Sequence, residues 1–455
     1  VTATTTPTSP LWAPDRRATT TGILLLVTLV AFENMGVGTA MPRIVADLRA
    51  DSLYSWPFTA FLAASVVGTV LSGRVCDRRG PTLPMLVAPA LFCVGLVVAG
   101  LAGSMPALLA GRVLQGLGCG VQMVAVSVLI ASVYPTRDRP AVFGAISAAW
   151  VVPSLIGPTL AGLVTEHLSW RLVFLGLAPL VLVGVLLLVP LLRGLTPTRP
   201  DPADTGAAPR RGLPLAALAA AVGLSALTWA GEHPSLGSLA LGAAGLVALA
   251  PALRRLLPRG TLLARPGLPV VVLSRALLGG AFFAAQAYLP LTLTAVHGLS
   301  PALAGVPLTV GSLGWSAASW WQARKPDLPR QTLLWIGLLF LVAGLALVTF
   351  VAPTWGPIWL VYPAWVLAGA GMGLGTSAIS VLVLHLSEPA QRGFNSAAMQ
   401  LSEMLGQTLF IGLGGVLLAG LATAGAPTPA VLILDLAMAA VAALGAVLVA
   451  TRATP

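Results

Sequence analysis

Residues 22–41 read GILLLVTLVAFENMGVGTAM, twenty residues of which Glu33 alone is ionisable. Wound as a helix with a rise of about 1.5 Å per residue, such a run matches the hydrocarbon thickness of a bilayer, about 30 Å. Arg16 and Arg17 stand just ahead of it, a flank that secretory signals also show. The apolar part of a cleavable signal is shorter, so the run reads as a retained first membrane span.

The rest of the chain follows suit. Of its 455 residues 57% are hydrophobic and only 9% charged, with a formal net charge of +11. Soluble domains carry about 25% charged residues. A chain this long with so few lacks the polar surface to cover a soluble fold. Cys76, Cys93 and Cys119 lack the number for a disulfide framework and the paired spacing of a zinc site. His167, His233, His297 and His385 fall in four separate segments, so no metal centre is expected.

Apolar runs long enough to span a bilayer, broken at charged or Pro-rich stretches, number fourteen. They lie near 21–42, 54–73, 82–103, 105–133, 141–165, 170–192, 213–231, 236–253, 268–294, 302–322, 331–352, 356–386, 394–421 and 428–450. Basic residues test the map. With the N-terminus inside, 20 of the 25 Lys and Arg fall in inner segments. Only Arg43, Arg49 and Arg171 fall outside, and Arg112 and Arg275 lie within spans. That asymmetry obeys the positive-inside rule, with both termini cytoplasmic. It also accounts for the +11 without a nucleic-acid partner.

The expected organisation is an all-α polytopic membrane protein with fourteen transmembrane helices. A cytoplasmic tail (1–20) precedes a six-helix half (21–193), a Pro-rich cytoplasmic linker (194–212) and an inserted two-helix hairpin (213–253). A second basic linker (254–267), a second six-helix half (268–450) and a short tail (451–455) follow. Two six-span halves are the organisation of a secondary transporter, whose site lies between them near the midplane.

Charge inside hydrocarbon is costly, so each ionisable residue within a span is a functional candidate. Glu33 lies near mid-bilayer, with Asn34, Gly36 and Gly38 leaving space and polarity around it. It suits a carboxylate that alternates between a proton and a cationic substrate; a permanent internal ion pair or hydrogen bond is the structural alternative. Arg112 must be paired or wet, because a guanidinium does not lose its proton. It serves either to tune a nearby carboxyl or to clamp two helices, with Gln115 and Gln122 on roughly its face. Glu403 has Gln400 and Gln407 at helical spacing, a polar stripe for a cavity or an interhelical network. Asp435 has no such neighbours and reads as structural, and Arg275, near its span's cytoplasmic end, is expected to snorkel inward.

Glycine and proline mark close-packed or bent helices. They crowd residues 111–120, 153–162 and 369–375. Gly73 to Gly80, GRVCDRRG, is read as a loop between spans two and three. Its Arg74, Arg78 and Arg79 are topology markers, while Asp77 opposes the trend and suits a helix N-terminus or a latch with an Arg across the inner opening.

On these residues the chain resembles the fourteen-span drug:proton antiporter branch of the major facilitator superfamily. Gly73–Gly80 is similar to the family's loop motif, with Pro81-Thr82 in place of the usual basic pair. Arg112-Val-Leu-Gln115-Gly116-Leu-Gly118 resembles the fourth-span motif whose Arg is associated with proton transfer. Gly157-Pro158 with Gly162 resembles the antiporter signature of span five, although Pro153 and Ala161 stand where Gly is usual. Glu33 lies nine residues before Pro42, as the family's acidic residue does, and Trp56 and Phe61 look like its aromatic pair opening span two. Tyr288-Leu-Pro290-Leu and Gly298-Leu-Ser300-Pro301 with Ala304-Gly305 resemble the passage into span ten.

The resemblance implies alternating access by rocking of the two halves. The expected function is proton-coupled export of a lipophilic, cationic small molecule, a multidrug and antibiotic-resistance type of efflux from the cytoplasmic (inner) membrane. Glu33, Arg112 and Glu403 would handle proton and substrate; Asp77, Arg74 and Arg78 would form the inner gate. Trp150, Tyr288, Trp315 and Trp365 are candidates to line the cavity, lipid-interface belts accounting for most other Trp. The partners expected are substrate, protons and lipid, with the protein a monomer driven by the proton gradient and without a cofactor. Export of a lipid or endogenous metabolite is the alternative on the same fold. A membrane enzyme or non-transporting sensor is the distant one, and the scattered histidines speak against an enzyme.

Overall fold

The computed structural model describes residues 16–135, 138–194, 212–325, 327–388, 391–422 and 427–453, and every regular element among them is helical. The first group is α1 (Arg17–Asp47), α2 (Trp56–Arg79), α3 (Thr82–Gly100), α4 (Met105–Val133), α5 (Arg139–His167), α6 (Arg171–Leu175) and α7 (Ala178–Gly194). The pair α8 (Leu213–Glu232) and α9 (Leu236–Leu256) comes next. The last group is α10 (Leu268–Leu291), α11 (Pro301–Ala323), α12 (Arg330–Thr349), α13 (Val361–Leu386), α14 (Arg392–Leu421) and α15 (Thr428–Arg452). The expected linker lies, but for its two end residues, outside the described residues, as do 1–15 of the N-terminal tail.

Local chemistry sets many of the boundaries. Proline opens α2, α4, α5, α8, α10, α11 and α15. There its missing N–H has no helical partner to lose and its φ is already helical. Ser300 and Ser235 cap α11 and α9 by accepting from the Leu303 and Ser238 amides. The expected sixth span is broken at Gly176 into α6 and α7, and α10 closes on a π turn, Thr292–Val296.

Among the described residues thirteen helices are long and apolar enough to cross a membrane. Helix α11, at the expected tenth span, has 23 residues but is less apolar, because Ser, Thr, Gly and Trp interrupt it. Leu236 at 89% exposure and Val247 at 75% stand on the outside of α9. A protein in lipid tolerates such faces, whereas an aqueous one would cover them.

Within the first group, α4 packs between α2 and α3, and α1 against α5 and α7. Within the last, α13 packs between α11 and α12, and α10 against α14 and α15. The groups meet where α5 packs on α11, α2 on α14, and α1 on α10 and α11. Helix α8 lies against both α2 and α14.

Arg16 pairs with Asp138 at 3.5 Å, and the Gly267 amide donates to the Arg452 carbonyl at 3.0 Å. Tyr54, just past the end of α1, bonds Ala287 near the end of α10, so the starts of α1 and α10, and with the latter the end of α15, share one end of the bundle, the terminal end. Among the described residues, hydrogen bonds joining the groups lie toward the opposite, far end. Tyr54 Oη donates to the Ala287 carbonyl (2.9 Å), the Ala302 amide donates to Glu166 (3.3 Å), and Thr159 and Thr309 share a hydroxyl bond of 3.0 Å.

Candidate functional site

Close approach of α4 to its neighbours places the central residue. A Cβ on Gly116 or Gly120 would fall on the Phe61 or Ser65 carbonyl of α2; one on Gly111 or Gly118 would meet Ala99 or Ala88 of α3. Small residues permit such contact. On α1, a Cβ on Gly36 would press on Ala161 of α5. These approaches bring Arg112 of α4 to the middle of α1.

Arg112 is 2% exposed and Glu33 is fully buried, so each must find its partners inside the protein. They find each other: Arg112 Nη1 donates to Glu33 Oε1 in an ion pair. Arg112 Nη1 also donates to Gln115 Oε1 at 2.6 Å, and its Nε donates to the Pro57 carbonyl at 2.9 Å. The guanidinium carbon lies 4.4 Å from the centre of the Phe61 ring, within cation–π range. Glu33 Oε2 has no hydrogen-bond partner among the described residues, nor have Gln115 Nε2 and Gln122 Nε2. Because an arginine keeps its proton, Glu33 is the member of the pair able to exchange one. Its bare oxygen is an open position for a proton or a cationic group. The half-buried Asn34 next to it donates to the Val30 carbonyl one turn back, at 2.9 Å.

A second pair was not legible in the sequence. Arg275 of α10 does not snorkel: its Nε and Nη2 donate to Glu403 Oε2 of α14 at 2.9 and 2.7 Å, with both side chains 14% exposed. Gly279 leaves the room, since a Cβ there would strike the Glu403 side chain. Of the residues expected beside Glu403, Gln400 is exposed and Gln407, like Glu403 itself, is half-buried. Asp435 is buried on α15 and its Oδ2 has no partner among the described residues.

Two expected cavity aromatics are instead interior packing. Tyr288 is fully buried, donates to the Ile411 carbonyl at 2.8 Å and lies 5.2 Å from the Tyr54 ring. Trp365 is fully buried and stacks on Phe282 with centroids 5.5 Å apart. Both are large apolar surfaces that helix packing covers as readily as a ligand would. Trp315 and Trp150 remain half-buried, Trp315 meeting Phe282 edge to face at 5.8 Å.

The span-five motif lies on the seam between the groups. A Cβ on Gly162 would meet the Pro301 carbonyl of α11, and one on Gly305 would meet the carbonyl of Pro158. Gly157 faces Met35 of α1 at ordinary contact distance, 3.4 Å for a Cβ. The stretch Gly73–Arg79, expected as a loop, is the last two turns of α2, which stops at Gly80 with φ +74°. Nothing in GRVCDRR breaks a helix, and glycine adopts that φ freely. Asp77 thus lies in the last turn of a helix, not ahead of one. It is exposed, as is Arg78, with Arg74 half-buried, and among the described residues Asp77 forms no ion pair. In the same turn Arg78 and Arg79 suit the negative end of the helix dipole.

Comparisons with known proteins agree with this architecture. A sequence model of the Major Facilitator Superfamily matches residues 23–411. The acurin A biosynthesis cluster MFS-type transporter of Aspergillus aculeatus is 32% identical over 231 residues, 48% of this chain and 41% of that protein. An uncharacterized MFS-type transporter of Mycobacterium tuberculosis is 30% identical over 93% of this chain and 64% of its own length. Multidrug resistance protein 3 of Bacillus subtilis is 24% identical over 87% of this chain and 78% of its own. The chain thus spans less than two thirds of the Aspergillus and Mycobacterium relatives. A crystal structure of an auto-inhibited POT family peptide transporter superposes with a TM-score of 0.69 at 17% identity, covering 96% of this chain and 98% of that one, a likeness of fold.

Proposed function

The chain belongs to the Major Facilitator Superfamily, and from that premise we propose that it is a proton-coupled antiporter exporting lipophilic cations by alternating access. The observation that carries this reading is the unpartnered Oε2 of Glu33, buried beside a guanidinium that keeps its charge. A bound proton and a cationic substrate compete for that carboxylate, and Arg112 keeps either from being held too tightly. The Bacillus relative's name supports the drug class of cargo.

In this scheme all fourteen expected spans cross the cytoplasmic membrane of a monomer, with the terminal end facing the cytoplasm. The two groups rock about the seam of α5 with α11 and α2 with α14. The arrangement described above, joined toward the far end, is then the state open to the cytoplasm. Asp77, Arg74 and Arg78 come into play when the terminal end closes. Arg275 and Glu403, partly exposed, form a second polar station on the substrate's route, with Gln400 and Gln407 nearby on α14.

Proteoliposomes loaded with a fluorescent lipophilic cation test this. An imposed proton gradient is expected to drive counterflow in the wild type, and Glu33→Gln is expected to reduce it to the level of empty vesicles. Normal proton-driven exchange by Glu33→Gln would refute the role given to that carboxyl.

A further inference from the structure

Glu232 ends α8, in the helix pair between the two groups, and no sequence motif draws attention to it. Its residue is only 8% exposed. Oε1 accepts from Ser55 Oγ at 2.8 Å and Oε2 accepts from Trp56 Nε1 at 2.5 Å. Both donors open α2, in the first group. Trp56 also meets Trp229 of α8 edge to face at 5.8 Å, and Trp229 in turn stacks on His233 at 4.0 Å. The last group joins the same junction: a Cβ on Gly415 of α14 would strike both Glu232 Oε1 and Ser55 Oγ. One helix turn earlier, Gly412 lies against Thr228, and Gly231 lies against Val416.

One carboxylate therefore bonds the end of α8 to the start of α2 at the far end of the bundle, with Gly415 of α14 packed against both. The residue after Trp56 is Pro57, whose carbonyl accepts from Arg112, and one turn beyond comes Phe61, whose ring carries the guanidinium. We propose that Glu232 is a positioning residue through which α8 fixes the start of α2 against α14 while the far end is shut, holding Pro57 and Phe61 against Arg112. Charge-assisted hydrogen bonds in a place shielded from water suit such a tie. Opening the far end separates α2 from α14, so the tie biases the bundle toward the far-end-closed state. An exchange between two states responds only to contacts that differ between them.

The inference rests on the alternating opening proposed above, but its test needs neither substrate nor proton gradient. In a background with Cys76, Cys93 and Cys119 replaced by alanine, spin labels are placed at Ser52→Cys and Leu421→Cys, both exposed at the far end. Pulsed dipolar spectroscopy in nanodiscs then compares the tie's variants. Glu232→Ala is expected to add a longer-distance population absent from the parent. Glu232→Gln, which keeps one acceptor oxygen, is expected to fall between the two. Trp56→Phe is expected to shift the distribution in the same direction, and adding it to Glu232→Ala is expected to change nothing more. Variants whose distributions superimpose on the parent, or whose effects add in full, would overturn the proposal. Efflux by these proteins is measured separately, so a failure of the transport reading is not mistaken for a failure of the tie.

Discussion

Helices α4 and α13 hold matching places in the two groups, and the same backbone arrangement carries different side-chain junctions in each. In α4, Gly116 and Gly120 rest on the Phe61 and Ser65 carbonyls of α2 while Gly118 faces Ala88 of α3. In α13, Gly369 and Gly373 rest on the Gly311 and Trp315 carbonyls of α11 while Gly371 faces Gly337 of α12. The spacing of small residues is the same, and so is the sandwich between two neighbours. Four residues before the first glycine of each set stands Arg112 in one helix and Trp365 in the other. Arg112 reaches a carboxylate on α1, the first helix of its group; Trp365 stacks on Phe282 of α10, the first helix of the other. One backbone arrangement thus holds an ion pair in one half and an aromatic stack in the other. The small residues set how closely helices approach, and the residue one turn away sets what the junction does.

The most damaging way to probe this contrast is to remove the cation alone. Arg112→Ala leaves Glu33 buried without a partner, and breaking a buried pair costs about 3–5 kcal/mol. Thermal unfolding in detergent should show that loss, and the double variant with Glu33→Gln should recover part of it. A double variant no more stable than the single would mean that the charge pair is not what distinguishes the two halves. Next in size are Gly116→Ala and Gly369→Ala, each forcing a methyl onto a carbonyl at a typical overpacking cost of about 1–3 kcal/mol. Similar losses of stability are expected in the two halves. Proton-driven exchange should suffer more in Gly116→Ala, because Phe61 carries both the displaced carbonyl and the ring over Arg112. The smallest effect on transport is expected from Trp365→Phe, since a ring remains to stack on Phe282; the smaller ring leaves a cavity, at a stability cost below the roughly 3–5 kcal/mol of deleting the whole side chain. It also removes an indole N–H that has no acceptor among the described residues. A large transport defect in Trp365→Phe would break the division of labour.

The last group is not without charge, and its pair differs in kind. Arg275 and Glu403 keep 14% exposure on each side chain, whereas Arg112 and Glu33 keep 3% and none. A partly wet pair can exchange partners with water or ligand at lower cost than a dry one. In the proposed mechanism, proton exchange at the dry pair would call for movement of the helices around it.

How much of this was legible depends on the signal each feature leaves. A lone Glu in twenty apolar residues, and a lone Arg in the fourth run, stand out because hydrocarbon tolerates neither unpaired. Their pairing was an open alternative in the sequence and is a contact in the structure. Arg275 and Glu403 stood out equally, but 128 residues of chain separate them and nothing in either segment names the other. Glu232 sat at the edge of a run, where an acid usually faces water, and its value came from Ser55 and Trp56, 177 and 176 positions away. Tyr288 and Trp365 suit a cavity as well as packing in the sequence, because an aromatic ring serves ligand, lipid and packed helix alike.

The sequence by itself determined the membrane, the helical class, most helix positions and the candidate charges. Each rests on local arithmetic: apolar length against bilayer thickness, proline at helix starts, and the cost of charge in hydrocarbon. Tertiary structure alone decided which charges meet, which aromatics are covered, and that α8 joins α2 to α14. A helix in lipid is apolar on nearly every side, so its sequence carries little of the periodicity that marks a buried face in water. The rotation and depth of each helix are settled by close packing with its neighbours, and those contacts exist only once the chain has folded.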